Sequence, residues 1–280
     1  MTLIGIMQGR LLPPTENRIQ CFPRANWADE FELGAKAGIE YIEWIYDLYG
    51  ADANPLANKE GAARMKELTA ANGVRVLSLC ADYFMDRPLL RVSVGELNDR
   101  LATFRWLLGR AQLLGIQRMV VPFVDASSIN TEAEFEEVCV TLKRVLQMAE
   151  ETQVEIHLET SLAPERFAEL LARLPHPLLK VNYDSGNSSS LGYDPRQEFA
   201  AYGARVGSVH IKDRLRGGGT VAPGTGDADF SALAECLDSI HYSGDFILQV
   251  ARGTPGDEVD WIRKNRDFVL KTFCKDGSRP

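Results

Sequence analysis

No stretch of this 280-residue chain comes near the roughly 20 consecutive apolar residues that a membrane-crossing helix needs. Its first residues, MTLIGIMQGR, lack a basic segment followed by a long apolar run, so no secretory leader is read there. The five cysteines (Cys21, Cys80, Cys139, Cys236 and Cys274) are odd in number and far apart, which excludes a cysteine-built zinc or redox motif and a disulfide framework. Reduced thiols without a leader point to a cytoplasmic protein. Positive charge is in deficit as well: 31 Lys and Arg against 39 Asp and Glu leave a net charge of −8. Such a surface repels phosphate backbones and argues against a nucleic-acid partner. No linker or low-complexity segment divides the chain, so residues 1–280 read as one domain.

What is present is alternation. Short apolar segments at 3–7, 41–45, 74–79, 118–121, 154–158, 178–182, 207–211 and 246–250 read as strands. Helical periodicity fills the intervals at 27–37, 60–71, 94–114, 132–151, 164–174, 229–240 and 257–273, with a weaker pattern at 195–202. Asn72-Gly73 and Gly115 sit where left-handed helix ends are expected, and Thr131 with Glu134 marks a helix start. Eight strands alternating with helices imply right-handed parallel crossovers, and eight is the number that closes a (β/α)₈ TIM barrel. An open doubly wound sheet is the rival, but no GxGxxG follows the first strand.

Barrels of this kind carry their chemistry at the C-terminal ends of the strands. Those ends hold Glu43, Asp82, Glu159, Asp184, His210 and Gln249. Carboxylates and one imidazole converging there, with an amide oxygen beside them, suit a divalent metal ion: Mn²⁺, Mg²⁺ or Co²⁺, without excluding Zn²⁺. Glu43 reads equally as a sugar contact or a charged strand end in water. His157 shares parity with Glu159 and points inward, to a substrate or to a hydrogen-bonded core position. Lys212 shares parity with His210. In the loop after the seventh strand, Arg214, Arg216 and the run 217–219 of glycines form either an anion-binding loop or a flexible solvated one, and Arg252 after the eighth strand could join them. Trp44 and Tyr83 fit either the core or an apolar wall beside a sugar. Apolar residues of the long helix 94–114 serve the barrel or a homo-oligomer interface.

The segments HLET (157–160), NYDSGN (182–187), VHIKDR (209–214), PGTGDADF (223–230) and FILQVAR (246–252) follow one another at these strand ends. Together they resemble the xylose-isomerase-like barrel family of sugar and sugar-phosphate isomerases and epimerases. The opening MQGRL (7–11), with IQCFP (19–23), is similar to the sugar-phosphate isomerase/epimerase branch. That resemblance implies a small sugar or sugar phosphate as partner, handled through an enediolate, and it makes Glu159, Asp184 and His210 three of four metal ligands. The fourth is usually a strand-eight glutamate, here Gln249. In such epimerases the strand-five and strand-eight glutamates also move the proton on opposite faces, and an amide cannot act as a base near neutral pH. Glu159 then remains as base, with Lys212, Asp82, Glu43 or a water as the second proton carrier. Rival readings are a dehydratase like the inosose dehydratases and a barrel that binds sugar without turnover. A many-histidine trinuclear hydrolase like endonuclease IV is disfavoured, because the chain has only four histidines.

Overall fold

A computed structural model describes residues 2–274. Eight parallel strands close on themselves: β1 (Ile4–Met7), β2 (Tyr41–Ile45), β3 (Arg75–Cys80), β4 (Arg118–Phe123), β5 (Glu155–Thr160), β6 (Leu179–Asp184), β7 (Val206–Ile211) and β8 (Phe246–Leu248). Each pairs with its chain neighbour, and β8 returns to β1 through Ile4 opposite Phe246. Eight helices cover the outside: α1 (Asp29–Ala37), α2 (Lys59–Asn72), α3 (Val94–Leu114), α4 (Glu132–Thr152), α5 (Pro164–Arg173), α6 (Pro195–Tyr202), α7 (Phe230–Ser239) and α8 (Glu258–Phe273). The expected (β/α)₈ barrel is the observed one, and no described helix is long and apolar enough to cross a membrane.

Local chemistry explains the boundaries. Ser93 and Thr131 each open a helix with a reciprocal capping box, to Glu96 and Glu134 respectively, satisfying amides that a helix start leaves bare. Gly73 and Gly115 close α2 and α3 at φ 73° and 72°, a left-handed conformation that costs glycine little.

The apolar core lies between strands and helices. Trp44 points outward from β2 against Phe22, Trp27 and Phe31, and its indole N–H donates to Asn54 Oδ1 at 3.1 Å. It is a core side chain and no wall of a sugar site. Inside the barrel the pattern is polar. Glu43, Ser78, His157, Asn182, Ser208 and His210 are all buried, and each bonds another of the set. Burying that many polar groups is tolerable only because they satisfy one another. Arg118, paired with Asp245 at 2.7 Å and bonded to the Tyr41 hydroxyl at 2.9 Å, fills the lower end of the barrel.

Two features were not legible in the sequence. A short helix, Ser185–Leu191, follows β6 directly, although SGNSSSL is poor in helix formers. The glycine-rich loop after β7 is an antiparallel ribbon pairing Asp213–Arg214 with Thr220–Val221. Asp213 is buried and accepts the backbone N–H groups of Gly224, Gly226 and Ala228, which ties the loop down.

Candidate metal centre at the barrel mouth

Strand register brings the donors together. A register shift between Val181 and Asn182 sets Asp184 opposite His210, and another between Ile42 and Glu43 sets Glu43 opposite Ser78. Such shifts re-aim side chains and recur beside functional sites. Glu159, Asp184 and His210 then offer donor atoms that all lie within 4.8 Å of one another. His210 Nδ1 is 3.3 Å from Glu159 Oε2 and 3.9 Å from Asp184 Oδ2. No other cluster of three or more His, Cys, Asp or Glu fit to hold a metal occurs among the described residues.

Each donor is aimed by a neighbour. Asp184 caps the short helix after β6 through one oxygen, Oδ1, which accepts from Gly186 N and Asn187 N at 2.9 and 2.8 Å. Its other oxygen is left to face Lys212 Nζ at 3.4 Å. Glu159 accepts from the amides of Asn182 (2.8 Å) and Asn187 (2.6 Å). Glu43, wholly buried, accepts from Ser78 Oγ at 2.6 Å and holds His210 Nε2 at 2.7 Å. It is therefore neither a sugar contact nor a solvated strand end. Glu43 fixes the ring so that Nδ1 faces the two carboxylates, and that buried nitrogen makes no hydrogen bond.

An imidazole bonded through one nitrogen to a carboxylate, with the other nitrogen bare and facing two more carboxylates, is the arrangement that metal-binding histidines adopt. The residues present fit a divalent cation. The surrounding carboxylates favour a positive charge at this point. Burial disfavours charge on His210, yet Glu43 and Glu159 outweigh it and raise the imidazole to about 10. Burial also works against the Glu159 carboxylate, but His210 and Lys212 hold it below its ordinary value, while burial and the nearby Glu159 push Asp184 up.

Lys212, Arg214 and Gln249 join Glu159 and Asp82 in the lining of a cavity of about 310 Å³ above these donors. The Lys212 ammonium lies 3.3 Å from both Asn187 Oδ1 and Gln249 Oε1. Gln249 Nε2 donates to Gln20 Oε1 at 3.0 Å, and Gln20 Nε2 donates to Asp82 Oδ2 at 2.8 Å. Arg214 is engaged twice with the Gly218 carbonyl and once with Asn187 Oδ1. Sequence reasoning missed Gln20, Asn182 and Asn187. The IQCFP and NYDSGN segments contained them, but amides carry no charge signal that separates a positioning group from a loop residue.

Two expected contacts fall elsewhere. Both ring nitrogens of His157 are taken, Nδ1 by Ser208 Oγ at 2.7 Å and Nε2 by Glu155 at 2.9 Å, deeper in the barrel. The core alternative holds, and no nitrogen is left for a substrate. Arg252 lines a separate groove beside Trp261 and donates to the Leu12 carbonyl at 2.8 Å, so it does not join Arg214.

Comparison with known proteins agrees with the barrel fold. L-ribulose-5-phosphate 3-epimerase UlaE of Escherichia coli (strain SMS-3-5 / SECEC) is 25% identical over 266 residues, covering 90% of this chain and 91% of the relative. Among solved structures, an IOLI protein with a bound zinc atom superposes with a TM-score of 0.79 at 18% identity, over 98% of this chain and 100% of the other. An L-ribulose 3-epimerase gives a TM-score of 0.74 at 16% identity, each chain covered in full at 100%. The family model of xylose isomerase-like TIM barrels matches residues 31–272, and the chain belongs to that family.

Proposed function

We propose that the protein is a divalent-metal-dependent isomerase or epimerase of a small sugar or sugar phosphate. The observation that carries the reading is the triad of Glu159, Asp184 and His210, with His210 Nδ1 bare between the two carboxylates and Nε2 held by Glu43. The epimerase relatives favour the same reaction class. Mn²⁺, Mg²⁺ or Co²⁺ suits this oxygen-rich donor set, and the zinc atom of the IOLI structure favours keeping Zn²⁺ among the candidates. When bound, the ion supplies Lewis-acid polarisation of a carbonyl and its neighbouring hydroxyl, which lowers the cost of an enediolate. Gln249, with its oxygen toward Lys212, is the candidate fourth ligand.

The remaining work falls to this chain's own groups. Glu159, aimed by two amides, takes a proton from the carbon next to the carbonyl. Lys212 puts a fixed positive charge at the same cavity wall and steadies the oxygen on which negative charge grows. Arg214, braced by Gly218 and Asn187, lines the cavity where the rest of the sugar would lie.

The test is deuterium uptake from D₂O into a panel of ketoses, aldoses and their phosphates with Mn²⁺ supplied, followed by NMR. Uptake next to the carbonyl is expected, falling at least ~100-fold in Glu159→Gln, as loss of a positioned base commonly does. Unchanged uptake in that variant would remove Glu159 as base. Net loss of water from a substrate would replace isomerisation with dehydration.

A further inference from the structure

Moving a proton between two faces of a substrate needs two groups, and the strand-eight position offers only the amide of Gln249. The structure narrows the alternatives. Glu43 is spent on His210 and Ser78 and does not reach the cavity. The Lys212 ammonium already faces three acceptors, Asp184, Asn187 and Gln249.

Asp82 differs from Glu159, Asp184 and Asp47, buried acids near the mouth. It stands just past β3 and lines the same cavity as Glu159. Its oxygens are held by neutral donors alone, Oδ2 by Gln20 Nε2 at 2.8 Å and Oδ1 by Cys80 Sγ at 3.1 Å. In contrast, Asp184 faces the Lys212 ammonium, Glu159 lies 3.3 Å from the His210 ring, and both oxygens of Asp47 are occupied by the amides of Phe22 and Gly50. A carboxyl that must alternate between acid and base is served by neutral donors, which fix its direction without locking it in the ionised form. Gln20 also bonds Gln249, so one side chain joins the amide that stands in for the usual base to a carboxyl that can take over its task.

We propose that Asp82 is the second proton-transfer residue of this site, acting on the substrate face opposite Glu159; this assignment rests on the isomerase–epimerase reading above. Glu159 takes the proton, and the C–H electron pair becomes the C=C bond of an enediolate while the carbonyl oxygen gains negative charge. Re-formation of C=O then lets the C=C pair take the proton of the Asp82 carboxyl, giving a new C–H bond of inverted configuration. Glu159 ends protonated and Asp82 ionised, and exchange with water through the open mouth resets both. No oxidant or reductant is needed. Burial, with Asp47 and Glu159 adding to it against the Gln20 and Cys80 bonds, pushes the Asp82 carboxyl up to about 6, where both forms are populated near neutral pH.

The experiment compares wild type, Asp82→Asn and the double variant Asp82→Asn/Gln249→Glu. The probes are ketopentoses and ketohexoses, free and phosphorylated, in D₂O with Mn²⁺, and NMR scores deuterium in recovered substrate separately from epimer formed. Asp82→Asn should keep deuterium wash-in, because Glu159 still works on its face, while epimer formation drops at least ~100-fold. The double variant should recover epimer formation, its strand-eight carboxylate replacing the lost one. Melting curves and near-ultraviolet circular dichroism check that both variants fold, and the recovery cannot come from a misfolded barrel. An active wild type with epimer formation unchanged in Asp82→Asn overturns the Asp82 assignment alone. A wild type inert across the panel overturns the isomerase–epimerase reading and the assignment with it.

Discussion

At the scale of single residues, the site depends on side chains that never meet a substrate. Glu43 lies inside the barrel without any exposure, and its role is to hold His210 Nε2. Partners of this kind typically change metal affinity by 10–100-fold when removed. Glu43→Gln preserves the volume and the bond to Ser78 but withdraws the negative charge behind the ring. Mn²⁺ affinity measured by isothermal titration calorimetry should fall by about 10–100-fold with the melting temperature little changed. Equal affinity would show that His210 needs no such support. The residue scale is also where sequence reading was weakest. Glu159, Asp184 and His210 were legible because strand parity and strand-end position are enough to bring them to one mouth. Glu43 and Arg252 were misplaced and His157 was left open between substrate and core, since whether an inward side chain meets a substrate or a neighbour depends on which partner lies across the barrel. Spacing along one strand does not report that.

Elements set the next constraint. Every barrel strand was legible from apolar runs and turn residues, and α3 (Val94–Leu114) was located to the residue from its periodicity and the Gly115 stop, while the Ser93 cap that starts it came from the structure. The short helix Ser185–Leu191 was not, because its stability comes from the Asp184 cap and from tertiary contacts, where propensity has no voice. That helix also steers Lys212. A Cβ built on Gly186 would lie 2.5 Å from Lys212 Cγ, so the lysine stem passes where only a glycine leaves room. Gly186→Ala should displace the ammonium from Asp184, Asn187 and Gln249. The expected outcome is a drop in kcat of at least ~10-fold, with Mn²⁺ affinity changed much less, since the Lys212 charge acts on the developing oxyanion and no ligand is removed. Equal losses in both would place the damage in the helix cap at Asp184.

The whole molecule adds a pH dependence that the site does not explain. Glu30 of α1 is fully buried, with one oxygen accepting from Gly9 N at 2.6 Å and the other without a partner. Burial pushes this carboxyl from 4.5 up to about 8. The folded chain therefore holds a proton that the unfolded chain releases above pH 4.5. The stability contributed by this group is full below that pH and is lost as pH rises through about 8. Glu30→Gln, which keeps an acceptor for Gly9, should be insensitive to that titration. Urea midpoints measured between pH 5 and pH 9 should show the variant gaining on wild type as pH rises, and a constant difference would mean that Glu30 is ionised in the folded barrel.

Above the level of any one group, the closed barrel brings donors from β5, β6 and β7 to one point, although Glu159 and His210 are far apart in sequence. The central claim is that this point holds a divalent cation, and it can be tested without knowing the sugar. Titration of metal-free protein with Mn²⁺, read by the loss of the free-ion electron paramagnetic resonance signal, should show one ion bound per chain. Asp184→Asn and His210→Gln, each verified as folded, should weaken binding by at least ~100-fold. A wild type that leaves the Mn²⁺ signal unchanged, or variants that bind as wild type does, would contradict the account.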